Sequence, residues 1–310
     1  MFNYNYKGQT YRLPDFIIPG AAKSGTTTLY QLLSQHPDLF FPPARKEPFY
    51  FSFGGEKPTY TDEKFNAIPI WETQKYLELF DSAKGNQLCG EASTSYLYTY
   101  EKSLKLLKDI YGEALKDLKS MIILRNPVDR AYSHYTYLIR NGFENRTFEE
   151  AISEKGISEW KNKRWGFDYL AYGKYADQIS AFKRAIPQTK VWLLEDLKKG
   201  SETTDEMLNF LGVPLMKFDT TMKANPSGIP KSKGLVNLLR KNPIAKKIGK
   251  ALPTSLQANL KNKRDKLMSK LLTKSPMKPE TRKNLTFYFR DDIEKLQEVL
   301  DRDLKHWLDG

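Results

Sequence analysis

Two short stretches carry residue types and spacings that could do chemistry. The first is Gly20-Ala21-Ala22-Lys23-Ser24-Gly25, which follows the apolar run Asp15-Phe16-Ile17-Ile18-Pro19 and precedes Thr26-Thr27-Thr28-Leu29. Small residues at such a turn let backbone N–H groups face an anion; the helix N-terminus adds partial positive charge and Lys23 a full one. The chemistry this predicts is phosphate binding. The Gly20-x4-Gly25 spacing fits a triphosphate-binding loop, yet that loop needs lysine directly after its second glycine, where Thr26 stands. The second stretch begins at Arg125, immediately after Ser120-Met121-Ile122-Ile123-Leu124. This is the carboxyl end of an expected strand, where open sheets bind ligands. The arginine offers a two-pronged fork suited to phosphate. Ser133 lies eight residues on, two turns into a helix that Asn126 caps and Pro127 opens, so its hydroxyl can join the same site.

The elements that must position these residues alternate. Strands are expected at 15–20, 87–90, 120–124 and 190–194. Helices are expected at 26–33, 71–80, 101–111, 127–140, 148–154, 172–185 and 202–211, the last closed by Gly212. The segment from Leu39 to Phe53 reads as a loop. This alternation predicts an α/β, P-loop-like three-layer fold with a central parallel sheet flanked by helices. One domain over 1–310 accounts for it. A long amphipathic helix closes the chain over 280–308, with Leu285, Phe289, Ile293, Leu296, Leu300, Leu304 and Trp307 on one stripe.

Composition sets limits on the function classes. The chain has 310 residues, of which 40% are hydrophobic and 13% aromatic, enough for a core and against a disordered chain. A single cysteine, Cys89, and three dispersed histidines exclude a disulfide framework and a multi-cysteine metal site, and no metal is expected. His134 reads as a core or helix-surface residue. No apolar run approaches the ~20 residues a spanning helix needs. Nor does the N-terminus read as a secretory leader. The expected location is cytoplasmic. Net charge is +13, but residues 223–283 hold 17 Lys and Arg against Asp265 and Glu280, a net of +15, so the rest of the chain sums to −2. Within this stretch the part from about 235 to 276 reads as a basic insertion broken into short helices by Pro243, Pro253 and Pro276. Its amphipathic character predicts docking of 223–283 on an anionic surface, membrane or acidic glycan.

Lys23 to Tyr30, KSGTTTLY, resembles the sulfotransferases that use 3′-phosphoadenosine 5′-phosphosulfate (PAPS). In that family such a loop holds the 5′-phosphosulfate, which implies Lys23, Ser24, Gly25, Thr26, Thr27 and Thr28 as donor contacts. The stretch Arg125-Asn126-Pro127-Val128-Asp129-Arg130-Ala131-Tyr132-Ser133 resembles the family's Arg…Arg-x-x-Ser signature for the 3′-phosphate, which implies Arg125 and Ser133. A nucleoside with phosphates at both ends needs two separated anion sites, and these are two. Asn225 to Lys233 resembles the late loop that closes over the nucleotide in bacterial members, adding Lys231, Ser232 and Lys233. Glu195-Asp196-Leu197, Phe210-Leu211-Gly212-Val213 and Arg302-Asp303-Leu304 look like later family blocks.

The resemblance implies sulfuryl transfer from PAPS, with PAP (the desulfated product) left behind, to a hydroxyl or, second, an amine of a carbohydrate or glycolipid. Lys46-Glu47-Pro48-Phe49-Tyr50-Phe51 resembles the block of heparan-type glycan sulfotransferases whose glutamate removes the acceptor proton, which implies Glu47 as base and Lys23 as the group stabilising the leaving oxygen. Gly90-Glu91-Ala92-Ser93 replaces a Glu-Lys-Ser block of the same enzymes, so the assisting lysine is missing; Lys46 could stand in for it, and Glu91 is a second base candidate at the acceptor. Phenol and steroid sulfotransferases use a histidine in that block, absent here. Other readings are transfer to a small hydroxylated metabolite or lipid, a P-loop kinase, and a basic nucleic-acid-binding protein. Misplaced Lys23 opposes the kinase, and the absence of a nucleic-acid-reading module opposes the last, so no nucleic-acid partner is expected.

Overall fold

Phe16–Gly20 (β3) is buried at every position, as a strand covered on both faces must be. The computed structural model describes residues 1–219, 229–230, 272–273 and 276–309. β4 (Leu39–Phe40), β5 (Leu88–Glu91), β6 (Lys119–Leu124) and β7 (Thr189–Leu193) join β3 in an all-parallel sheet of order β4-β5-β3-β6-β7. The chain builds one side of β3 first, then crosses to the other. The switch point therefore falls between β3 and β6, the position where open sheets part their loops and take ligands.

Side chains alternate across the sheet with period two. Ile17, Ile122 and Leu124 enter one apolar cluster, while Phe16, Ile18, Met121 and Ile123 enter the other. Each such fully buried side chain contributes about 1.5–3 kcal/mol. Helices α1 (Thr26–Leu33), α2 (Glu63–Asn66), α3 (Thr73–Leu77), α4 (Tyr100–Tyr111), α5 (Pro127–Arg140), α6 (Phe148–Ile152), α7 (Glu154–Lys161), α8 (Tyr175–Ala185), α9 (Ser201–Leu211) and α10 (Pro279–Leu300) complete the described layers. Leu29 of α1 and Leu208 of α9 pack on the Phe16 face; Leu107 of α4, Phe182 of α8 and Phe289 of α10 pack on the Ile17 face. The three-layer α/β expectation holds. α5 begins where the sequence places it, because the Asn126 side chain accepts from the N–H groups of Val128 and Asp129 and Pro127 needs no donor.

Several features differ from the expectation, among them β4, a two-residue strand at Leu39–Phe40 inside the segment read as a loop. Residues 2–13, read only as polar and aromatic, form a hairpin of β1 (Phe2–Tyr6) and β2 (Gln9–Leu13). Its two-residue turn, Lys7 (φ 52°) and Gly8 (φ 82°), has the positive φ angles that right-twisted hairpins require. α7 continues after Ser153, whose hydroxyl caps a new helix where the sequence reading ended one. The closing helix stops at Leu300 and not at 308: Asp301 turns left-handed (φ 49°), and Leu304 and Trp307 are buried from a separate 3-10 turn at Lys305–Trp307. The turn lets the Arg302 guanidinium fork grip both oxygens of Asp196 (2.7 and 2.8 Å), while Asn126 Nδ2 donates to the Trp307 carbonyl (3.1 Å). Of the basic stretch 223–283, the described residues are Ile229–Pro230, paired antiparallel with Leu272–Thr273, and 276–283 at the start of α10. The short helices expected over 235–276 lie outside them.

Strand β5 must run close beneath two rings. A Cβ at Gly90 would sit 2.3 Å from Phe16 Cζ and 2.7 Å from Phe41 Cε1, both buried. Gly90→Ala is expected to destabilise the fold by about 1–3 kcal/mol in denaturant unfolding, whereas Gly85→Ala, with open space around it, leaves the midpoint unchanged. Equal midpoints for the two variants would refute this packing.

Candidate functional site

The loops leaving the carboxyl ends of β3, β5, β6 and β7 meet around one cavity of about 540 Å³. Its walls carry Lys23 and Thr26–Thr28 after β3, Thr94 and Ser95 after β5, Arg125 after β6 and Leu194 after β7. The β3 ladder continues into the loop, where the Ala21 N–H donates to the Ile123 carbonyl (2.8 Å). Gly25 then caps α1 with φ 95° and no side-chain hydrogen bond, so the first N–H groups of the helix have no capping side chain. A Cβ at Gly25 would lie 2.7 Å from Leu194 Cδ1, which requires glycine on both counts. Across the switch point Arg125 Nη1 donates to the Lys23 carbonyl (3.5 Å), joining stretches 102 residues apart.

The cavity gathers Lys23, Gly25, Thr26, Thr27, Thr28, Glu47, Arg125 and Ser133 of the sequence-predicted residues. Lys46 is set just behind this surface: its Nζ donates to Glu47 Oε1 (2.9 Å) and Thr27 Oγ1 (3.1 Å), tying the base candidate to the phosphate loop. Two more of the predicted residues lie behind the wall. Ser24 is fully buried and its side chain is not part of the cavity wall, because Lys23 (φ 70°) and Gly25 turn it inward. Glu91 is fully buried as well and cannot meet an acceptor: its carboxylate accepts from Tyr76 Oη (3.2 Å) and Tyr96 Oη (3.0 Å), with Ser93 Oγ at 2.5 Å. Lys231, Ser232 and Lys233 lie outside the described residues.

Residues not singled out from sequence complete the wall. Thr136, Tyr137 and Arg140 follow Ser133 at three, four and seven residues along α5, a helical spacing from which one face could have been read. Phe49, Phe65, Ile68, Phe143 and Trp165 close the far end, and their distance in sequence gave no such signal. The Trp165 indole is fixed by donating to the Phe65 carbonyl (3.0 Å) and by packing edge-on to Phe49 (ring centroids 4.8 Å apart). His134 also reaches the wall, but burial and the neighbouring Arg130 hold it well below the usual imidazole range, and it is neutral. Arg130, the second arginine of the signature, is fully buried; it donates to the Tyr169 carbonyl and faces the Tyr172 ring (5.7 Å), anchoring a wall residue.

Residues 13–307 match the family model described as a sulfotransferase domain. The chain belongs to the sulfotransferase domain family. A solved sulfotransferase from Alicyclobacillus acidocaldarius is similar over 96% of this chain and 99% of its own, with a TM-score of 0.71 and 30% identity. Heparan sulfate glucosamine 3-O-sulfotransferase 3B1 of Mus musculus is 24% identical over 258 residues, 82% of this chain and 60% of the relative. Carbohydrate sulfotransferase 15 of Rattus norvegicus is 24% identical over 334 residues, 95% of this chain and 54% of the relative. The chain thus spans little more than half the length of these curated relatives.

In this sulfotransferase domain the cavity wall at Lys23 combines desolvation with like charge. The Lys23 ammonium is brought down to about 8, first by burial and then by Arg140, with Arg125 and Lys46 adding to it and Glu47 opposing. Its Nζ rests 4.1 Å from the centre of the Tyr137 ring. Among the described residues no cluster of His, Cys, Asp or Glu could hold a metal. Competitive acylation of the unliganded protein across pH should therefore show Lys23 reacting with a midpoint near 8, whereas surface lysines follow the ordinary value near 10.4. A Lys23 profile coinciding with the surface lysines would contradict the desolvated placement.

Proposed function

We propose that this chain transfers the sulfuryl group of PAPS to a hydroxyl of a carbohydrate or glycolipid acceptor. The observation that carries the reading is that Glu47, Lys23, Arg125 and Ser133 line one cavity at the switch point of the sheet. The donor fit rests on the uncapped N-terminus of α1, on Lys23 beside it and on the Arg125 fork at the next strand end. PAPS, when bound, supplies the sulfuryl group and leaves as PAP. Lys23 and the α1 N–H groups hold negative charge at the 5′ end, and Arg125 with Ser133 holds the 3′-phosphate. Glu47, about a quarter exposed, takes the acceptor proton at Oε2, the oxygen not engaged by Lys46; Thr94 Oγ1 steadies it from 3.4 Å.

The names of the relatives, a glucosamine 3-O-sulfotransferase and a carbohydrate sulfotransferase, support a sugar hydroxyl. One observation favours a second reading, a small hydroxylated metabolite or lipid. The acceptor end is walled by Phe49, Phe65, Ile68, Phe143 and Trp165, with Phe143 38% exposed at its rim. Such a wall stacks on the apolar face of a sugar ring, and equally on an alicyclic or aromatic one.

The test has two parts. PAP at 100 times its dissociation constant should stabilise the protein by about 2.7 kcal/mol, ADP and ATP–Mg²⁺ should do far less at equal concentration, and Lys23→Ala and Arg125→Ala should abolish the PAP shift. Radiolabelled PAPS offered with a glucosamine oligosaccharide, an alkyl glucoside and a simple phenol then reads the acceptor class. With the acceptor that is used, Glu47→Gln should lower kcat by about 10²–10⁴-fold and leave PAP affinity unchanged. A stabilising response to ATP–Mg²⁺ and none to PAP would sink the proposal.

A further inference from the structure

We propose that Glu91 is a positioning residue for the Glu47 loop: it fixes, through three hydroxyl groups, the consecutive residues Phe49, Tyr50 and Phe51. This rests on the reading of Glu47 as the proton acceptor. Glu91 ends β5, in register with Ile17 of the central strand, so its carboxyl is carried by the sheet itself and not by a loop. Each of its three partners touches the loop. Ser93 Oγ, 2.5 Å from Glu91 Oε1, accepts the Phe49 N–H (2.9 Å). Tyr76, which donates to Oε2, stacks flat on Tyr50 (ring centroids 4.2 Å apart, 8° between planes) and meets Phe51 edge-on (5.3 Å). Tyr96, the other donor to Oε2, also meets Phe51 edge-on (5.3 Å).

The loop needs such a hold. Phe49 has φ 60°, a left-handed conformation that a bulky residue adopts at a cost of about 1–2 kcal/mol. It lies two residues from Glu47, with only Pro48 between, and the Pro48 carbonyl accepts from the Ile70 N–H (2.8 Å). The Ser52 hydroxyl is pinned in turn, 2.6 Å from Ser95 Oγ. Burial pushes the Glu91 carboxyl up to about 8, against the pull of its three hydroxyl partners. A neutral carboxamide can keep the same three partners with the Ser93 bond reversed: its oxygen accepts from both tyrosines, and its NH₂ donates to Ser93 Oγ, which still accepts the Phe49 N–H.

The experiment compares wild type, Glu91→Gln and Ser93→Ala by amide hydrogen exchange at Phe49, by kcat with PAPS and whichever acceptor of the panel wild type uses, and by PAP affinity. Ser93→Ala cuts the link to Phe49 and leaves both tyrosines on Glu91. It should speed Phe49 exchange by roughly tenfold, as loss of one hydrogen bond does. It should also lower kcat by on the order of 10²-fold, the effect of misplacing a reacting group by about 1 Å, with PAP affinity unchanged. Glu91→Gln should match wild type in all three readouts. Wild-type exchange and kcat in Ser93→Ala would overturn the proposal, and so would a Glu91→Gln variant with normal Phe49 exchange but lost kcat, since Glu91 would then act through its proton. A wild type that turns over PAPS with no acceptor would instead refute the proposed function, and the exchange comparison would still decide whether Glu91 holds the loop.

Discussion

The site depends above all on the parallel pairing of β3 with β6. Gly20 lies opposite Ile122, and one further hydrogen bond, Ala21 N–H to the Ile123 carbonyl, carries the ladder past the strand end. That bond sets where the phosphate loop lifts off the sheet. It also fixes the two strand ends, three residues before Lys23 and directly before Arg125, across which Arg125 Nη1 reaches the Lys23 carbonyl. A slip of one residue would exchange the faces of Ile17 and Ile18 and break both apolar clusters. The register of the anion site is therefore held by the hydrophobic core and needs no charge of its own to hold it.

This arrangement accounts for the electrostatics around Lys23. Arg125, Arg140 and Lys46 depress the Lys23 ammonium on top of the effect of burial, and only Glu47 relieves it. Such a cluster would repel itself in a flexible chain. Here the sheet ends, the Asn126 cap and the Arg302–Asp196 fork hold the backbone under it. Because the fold fixes these charges, a phosphate bound there, as proposed, would replace repulsion with attraction at little reorganisation cost. From behind the cavity wall Lys46 links two parts of it, since it touches Thr27 of the phosphate loop and the carboxylate of Glu47.

What could be read from the sequence, and what could not, follows from the range of the interactions. The loop from Gly20 to Thr28, the Arg125–Ser133 stretch and the α5 boundaries are local: glycine at positive φ, a side-chain cap and proline at the first helical position declare themselves within a few residues. The hairpin at residues 2–13 was equally local, but its alternation is carried by tyrosines, which pass for polar surface until Tyr4 and Tyr11 are seen paired. The end of α10 is set from outside. Nothing at Asp301 resembles a helix stop; the chain turns there because Asp196, 106 residues from Arg302, takes its guanidinium. Glu91 was legible as a carboxylate near the site but not as a buried one, since its burial depends on Tyr76 and Tyr96 arriving from either side.

The two ends of the cavity are built from different materials, and this bears on how specificity is set. The donor end uses backbone N–H groups and side chains at the tips of four strands, where a change such as a Cβ at Gly25 collides with Leu194 and is transmitted to the sheet. The acceptor end uses Phe49, Phe65, Ile68, Phe143 and Trp165, which stand on loops or at the ends of short helices. Replacing one of these rings would alter the wall while leaving the β3–β6 register intact. Glu47 is the point where the two regimes meet: its loop belongs to the acceptor side, yet it is tied through Ser93 and Glu91 to the end of β5. On the proposed reading, Glu47 is held by the sheet and the acceptor ring by loops, so the proton-accepting atom can stay fixed while the ring presented to it differs in shape.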